Sequence, residues 1–235
     1  MTEPGRATSL RARVRAEMAD EIKQTARRHL AESGAPGLSL RAVARELGMV
    51  SSAVYRYFAS RDELLTALII DAYDALGAAV EEADGAVDRP DLVGRLDAAC
   101  HAVRQWALAH PHEYALTYGT PVPGYAAPPD TVGPASRVPN VLVQVLADGV
   151  AAGIIRPHPG DWLPPPVFAE MNRIIEEVHF DVPPAVLARG MMVWTHLFGA
   201  VNFELFGRLN GVIEERAAWF DHQVQAMGRL VGLRP

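Results

Sequence analysis

Two glycines divide the first fifth of the chain in a way that leaves few folds open. Gly34 closes the segment RARVRAEMADEIKQTARRHLAESG, in which Val14, Met18, Ile22, Ala26 and Leu30 recur every four residues. That spacing lines one face of an α-helix. Gly48 closes a shorter segment, LRAVAREL, whose Leu40, Val43, Ala44 and Leu47 form an apolar face. Ser39 stands where an N-cap belongs, and Gly48 where a C-cap glycine belongs. The next segment, SSAVYRYF, is expected to be a third helix over about residues 51–57.

The remaining chain reads the same way. Ser60-Arg61-Asp62-Glu63 is a capping box that opens LLTALIIDAYDALGAAVEEA, and Asp88-Arg89-Pro90 breaks that helix. Leu92 to Ala109 should be helical, ended by His110-Pro111. Residues 118–139 are so dense in proline and glycine that a loop is expected. Asn140 to Gly153 is helical again, and RPHPGDWLPPP is a second loop. Pro164 to Pro166 suit a first helical turn, so Val167 to Val178 should follow as a helix. Pro183-Pro184 starts a helix to about Gly207, and a last one spans about 212–230. Strand-like runs of Val, Ile and Thr are scarce. The expected fold class is all-α, with about ten helices. Residues 1–10 should be a disordered leader, 11–60 a three-helix helix-turn-helix domain, and 61–235 a helical bundle.

Charge separates the two parts. Residues 1–61 hold 11 Lys and Arg against 6 Asp and Glu, whereas residues 62–235 hold 11 against 22. A basic segment on an acidic chain points to a nucleic-acid or membrane partner for that segment. The longest apolar runs fall far short of the roughly 18 residues a membrane span needs. The N-terminus lacks a signal-peptide core, so a soluble cytoplasmic protein is expected. With one cysteine, Cys100, there is no intrachain disulfide and no CxxC zinc pair.

SSAVYRYF then raises a chemical question. Tyr55, Arg56, Tyr57 and Phe58 crowd polar-tipped side chains onto a short, half-apolar segment behind Ser51 and Ser52. In a helix-turn-helix unit the second helix lies in the major groove and its side chains meet bases and phosphates. The hydroxyls of Ser51, Ser52, Tyr55 and Tyr57 can donate to phosphate oxygens, and Arg56 can reach phosphate or guanine. Val54 and Phe58 would anchor the segment to its own domain. The other reading is a core edge with two tyrosines at its rim.

The surrounding spacing resembles the N-terminal domain of the tetracycline-repressor (TetR) family of transcription regulators. The residues that carry the likeness are Gly34, Leu38-Ser-Leu-Arg-Ala-Val-Ala-Arg-Glu-Leu-Gly48, Val54-Tyr-Arg-Tyr-Phe58 and Ser60-Arg-Asp-Glu-Leu-Leu65. They cover roughly residues 15–66. The resemblance implies contacts to double-stranded operator DNA from Arg41, Ser51, Ser52, Tyr55, Arg56 and Tyr57. It also implies a phosphate clamp at Arg61. One departure stands out: Tyr57 occupies the place where the family usually has His. The remainder resembles a TetR effector domain, which is all-helical and binds a small molecule and a second subunit. WTHLFGAVNFELFGRL is similar to a subgroup with a Trp-His-Gly signature, with Trp194 and Gly199 present and His196 displaced.

Two features of the acidic part bear on function. On the helix expected over 184–207, Leu187, Met191, Trp194, Phe198, Val201 and Leu205 are spaced 4, 3, 4, 3, 4, while Met192, Gly199, Phe203 and Phe206 cover another side. A helix apolar on two faces is buried on two faces, either inside a monomer or with one against a partner. Met191, Trp194, Phe198, Val201 and Leu205 are taken as the dimer seam, because a two-fold protein matches a palindromic operator. Trp106, Tyr114, Tyr118, Trp162, Phe168 and Met171 gather near the proline loops. They could line an effector cavity with polar help from His110, Glu113 or His179, or be plain core. The cluster His110-Pro111-His112-Glu113 is no metal site by its pattern, since proline interrupts the helix and no second ligand pair has suitable spacing.

GxSxG, HExxH, Walker and GxGxxG patterns are all absent, so neither an enzyme nor a cofactor is expected. The reading is a ligand-responsive repressor, homodimeric, released from its operator by a small, mainly apolar effector. The alternative is a helical protein-interaction module whose tyrosines meet a partner protein.

Overall fold

The computed structural model describes residues 4–233. Among them are ten α-helices: α1 (Pro4–Ser33), α2 (Leu40–Glu46), α3 (Ser51–Val54), α4 (Arg61–Gly85), α5 (Leu92–Ala109), α6 (Pro111–Tyr118), α7 (Val132–Ala151), α8 (Pro165–Val178), α9 (Pro184–Leu205) and α10 (Arg216–Val231). Short 3₁₀ turns lie at Ala35–Gly37 and Pro129–Thr131. The chain forms two compact units. The first runs through Ala72 and takes in His112–Thr131; the second comprises Tyr73–Pro111 and the chain from Val132 onward.

The first unit is built around the glycine punctuation. Gly34 and Gly48 have φ of 67° and 66°, in the left-handed region where a Cβ is strained. Met49 N–H then returns to the Ala44 carbonyl at 2.8 Å, closing α2 and turning the chain into α3. Ser39 Oγ accepts from the Ala42 amide at 3.5 Å. Ser60 Oγ accepts from the Glu63 amide at 3.1 Å, and the Glu63 carboxylate accepts from the Ala59 amide at 2.6 Å. Ile22, Ala26, Leu30, Leu40, Val43, Val54, Phe58 and Leu64 are buried together as the core expected from their spacing. Leu10 and Val14 are exposed, so the apolar stripe of α1 is covered only from about Ile22 onward.

The second unit packs α5, α7, α9 and α10 together, with α8 against α9. Its core includes Leu96, Val103, Leu142, Val145, Leu187, Leu197, Phe198 and Phe220. Two arginines make ion pairs across it. Arg95 reaches Asp84 at 2.8 Å and Asp148 at 2.6 Å, tying α5 to α4 and α7. Arg104 holds Glu204 with two bonds of 2.6 and 2.7 Å, tying α5 to α9.

Four expectations are corrected. Residues 4–10 open α1 and are not an unstructured leader; Pro4 fits the first helical position, where its missing N–H is not needed. Residues 1–3 lie outside the described residues. The third helix ends at Val54, and Tyr55 to Tyr57 continue as a tighter turn. His110-Pro111 does end α5, but Pro111 at once begins α6 in the way Pro4 begins α1. Finally, the loop expected over 118–139 stops at Pro128: α7 begins at Val132, takes Pro134 into its first turn and carries Pro139 inside. One internal proline removes a single ladder bond, and the buried apolar face of α7 offsets it.

Candidate nucleic-acid interface and the outer face of α9

The side chains that could read DNA stand on the outer surface of the first unit. Arg41 and Arg45, one turn apart on α2, are exposed. Ser52, Tyr55 and Arg56 are exposed on α3 and the turn after it, whereas Ser51 and Tyr57 are half-buried. Val54 is fully buried and Phe58 nearly so, which anchors the segment from beneath. Among the described residues, no carboxylate pairs with the guanidinium of Arg41 or Arg56. Hydroxyl and guanidinium tips outside, with Val and Phe inside, are the arrangement a groove-reading segment needs.

Arg61, expected from the resemblance to clamp a phosphate, has partners within its own unit. Its Nη2 donates to the Ala35 carbonyl at 2.7 Å and its Nε to the Leu38 carbonyl at 3.2 Å. A contact of 3.5 Å to Asp62 uses Nη1. Arg61 therefore braces the start of α4 against the turn between α1 and α2, with two of its donors on backbone carbonyls.

The same unit holds a charged junction. Lys23 and Arg27 of α1 meet Asp71 of α4 at 2.9 and 2.5 Å, and Arg27 also reaches Glu113 of α6 at 3.2 Å. Burial opposes charge on Lys23, but bonds to Asp71 and Asp20 outweigh it and raise its pKa. Tyr125 and Thr66 share a 2.8 Å hydroxyl contact. The proline-rich segment after α6 is thus fastened within the DNA-binding unit.

The six residues expected to line an effector cavity are distributed over both units. Tyr114, fully buried, and Tyr118 lie in the first unit with ring centroids 5.2 Å apart at a tilt of 32°. Trp106 and Met171 are buried in the second. Trp162 is 76% exposed and Phe168 51% exposed, on a loop and on α8, so neither is enclosed in the single chain. Of the polar helpers, Glu113 is engaged by Arg27 and His179 is exposed at the end of α8. Buried polar atoms without a hydrogen-bond partner occur elsewhere in the second unit: Trp194 Nε1, Asn202 Oδ1 and Arg189 Nε.

The residues expected as a seam on α9 differ in burial within the single chain. Val201 and Phe198 are buried in the second unit's own core, with Phe198 edge-on to Trp194 at 6.2 Å. Met191, Trp194 and Leu205 are half-buried. The opposite face is the open one. Met192, Phe203 and Phe206 are exposed. Met192 and Phe203, with Thr195, His196, Gly199 and Trp219 of α10, border an open groove of about 540 Å³. Spacing alone could not choose between the faces, because each is apolar and each keeps helical register.

Comparison with known proteins agrees with this architecture. Residues 22–68 match the family model described as bacterial regulatory proteins of the tetR family, and residues 96–227 match the tetracyclin repressor-like C-terminal domain. The chain belongs to the TetR family of helix-turn-helix transcriptional regulators. It is 40% identical to the HTH-type transcriptional regulator Rv1816 of Mycobacterium tuberculosis over 91% of this chain and 92% of that one. An HTH-type regulator of Mycobacterium bovis is similar to the same extent. Among solved structures, the regulatory protein SCO4313 is 33% identical, with a TM-score of 0.77 over 92% of this chain and 97% of that one. None of the described helices is long and apolar enough to cross a membrane.

Proposed function

We propose that this regulator is a homodimeric repressor that binds an inverted-repeat operator and leaves it when a small, mainly apolar effector binds the second unit. The observation that carries the DNA half is the outward set of Arg41, Ser52, Tyr55 and Arg56 above a buried Val54 and Phe58. A second copy is the proposed cover for Met192, Phe203, Phe206 and Trp219, since aromatic and methionine side chains are enriched in interface cores. A two-fold dimer then places two reading segments on half-sites about one helical turn apart.

Support for a ligand in the second unit comes from Trp194 Nε1 and Asn202 Oδ1. A buried, unpaired donor and acceptor cost about 1–3 kcal/mol each, and a ligand that satisfies them recovers that. Trp106 and Met171 are the buried members of the expected lining that remain in this unit. By linkage, an effector that weakens DNA binding is itself weakened by DNA to the same factor.

The test is selection of duplexes from a random library by the full-length protein. Enrichment of an inverted repeat with half-site centres about one turn apart is expected. Enrichment of no sequence overturns the proposal.

A further inference from the structure

The contact between Arg15 and the segment after α3 belongs to none of the roles assigned so far. Arg15 lies on α1, in the exposed part whose neighbours Leu10 and Val14 are uncovered. Its Nη2 donates to the Arg56 carbonyl at 2.8 Å. Its guanidinium carbon sits 5.0 Å from the centroid of the Tyr57 ring. One planar cation therefore grips the reading segment twice, once by the backbone of Arg56 and once by the face of Tyr57.

The grip falls where the segment most needs it. Regular helix ends at Val54, and Tyr55 to Tyr57 continue as a turn. Four helical residues are too few to hold their own geometry, because helix formation is cooperative and its nucleus is costly. Val54 and Phe58 fix the segment from below, but Tyr55 and Arg56 between them project outward. Something must set how far the Arg56 side chain stands from the body, and its carbonyl is what Arg15 holds. Tyrosine at position 57 suits this: a neutral π-face attracts a guanidinium, whereas a protonated imidazole would repel it. Tyr57 stands where the resemblance places a usual His, and its ring face meets Arg15 of α1.

We propose that Arg15 is a positioning residue for sequence reading, acting through Arg56 and Tyr57. It rests on the DNA-binding reading above. Arg15 sets the pose of the reading segment, so its loss lowers discrimination between sequences more than it lowers attraction to DNA as a polyanion. Lysine cannot replace it, because a single ammonium lacks the planar fork that stacks and donates at once.

The experiment uses the full chain, the library-selected duplex and a scrambled duplex of equal length, with a salt series for each. Arg15→Ala and Arg15→Lys should each cut the ratio of selected to scrambled affinity about tenfold. Affinity for the scrambled duplex should keep the wild-type salt slope, and the thermal midpoint should not move, since Arg15 is exposed. Tyr57→Ala in the Arg15→Ala background should cost little further discrimination, as expected of a coupled pair. Tyr57→Phe, which keeps the ring face, should retain the ratio. A phosphate contact would give a different result: equal losses on both duplexes and a salt slope lower by about one in Arg15→Ala. That result overturns the proposal, as does wild-type discrimination in either Arg15 variant. A wild-type chain that selects no duplex removes the DNA-binding reading itself.

Discussion

Phe203 is 56% exposed, whereas Val201, two residues before it on α9, is 1% exposed. This pair decides which face of α9 is free to meet another molecule. Phe203→Asp, or Met192→Asp on the same face, should convert a dimer to a monomer while leaving the fold intact. Sedimentation checks this, with circular dichroism to confirm helix content. Phe198→Asp should instead destabilise the chain by several kcal/mol, at about the scale of an unpaired charge in an apolar core. A Phe203→Asp variant that remains dimeric would move the interface elsewhere.

How far the sequence disclosed this depended on whether a signal was local. Helix periods, the Ser60–Glu63 capping box and the two turn glycines are local, and α2, α5, α8 and α9 fall within a few residues of where they were expected. Proline density misled because its effect depends on position: Pro111 and Pro134 sit in first turns, where no amide is needed. The inner and outer faces of α9 have the same apolar pattern, and only the tertiary packing of Phe198 and Val201 separates them. Arg15 has no signal in its own neighbourhood, because its contact with Tyr57 joins α1 to the turn after α3, which the sequence does not pair. The same holds for Arg61, whose partners are backbone carbonyls in the preceding turn.

On the DNA side, Arg56→Ala and Tyr55→Phe should weaken operator binding with little change in thermal midpoint, because both side chains are exposed. Arg41→Ala should relax preference at one base position, at about 1–3 kcal/mol if the contact is bidentate to guanine. Binding isotherms on single-base variants of the selected duplex provide the check.

Arg61→Ala should behave differently from those three. Losing two charge-assisted bonds to Ala35 and Leu38 should lower stability by about 1–2 kcal/mol while the salt slope of DNA binding stays unchanged. A fall in the slope with no loss of stability would instead assign Arg61 the phosphate-clamp role.

The Arg95 pair gives a pH-dependent prediction. Burial pushes the Asp148 carboxyl up, but bonds from Arg95, Gln144 and Arg89 outweigh it and hold the carboxyl below its ordinary range. A carboxylate with a depressed folded pKa stabilises the fold above its unfolded pKa, and that share is lost as pH falls through the folded value. Arg95→Met should therefore cost about 3 kcal/mol at neutral pH, where two carboxylates lose their buried partner. The gap between variant and wild type should narrow below about pH 4. Denaturant titrations at a series of pH values measure it, and a gap that is flat with pH would show that packing, not charge, is what Arg95 contributes.

The most direct measurement is the affinity of the full-length protein for the library-selected inverted repeat across a salt series, with the number of chains per duplex determined in parallel. Two chains per repeat and a steep linear fall of log affinity with log salt are expected, the slope reflecting several phosphate contacts. An affinity indifferent to salt, or one no greater for the selected repeat than for a scrambled duplex, would contradict a DNA-reading role for Arg41, Ser52, Tyr55 and Arg56.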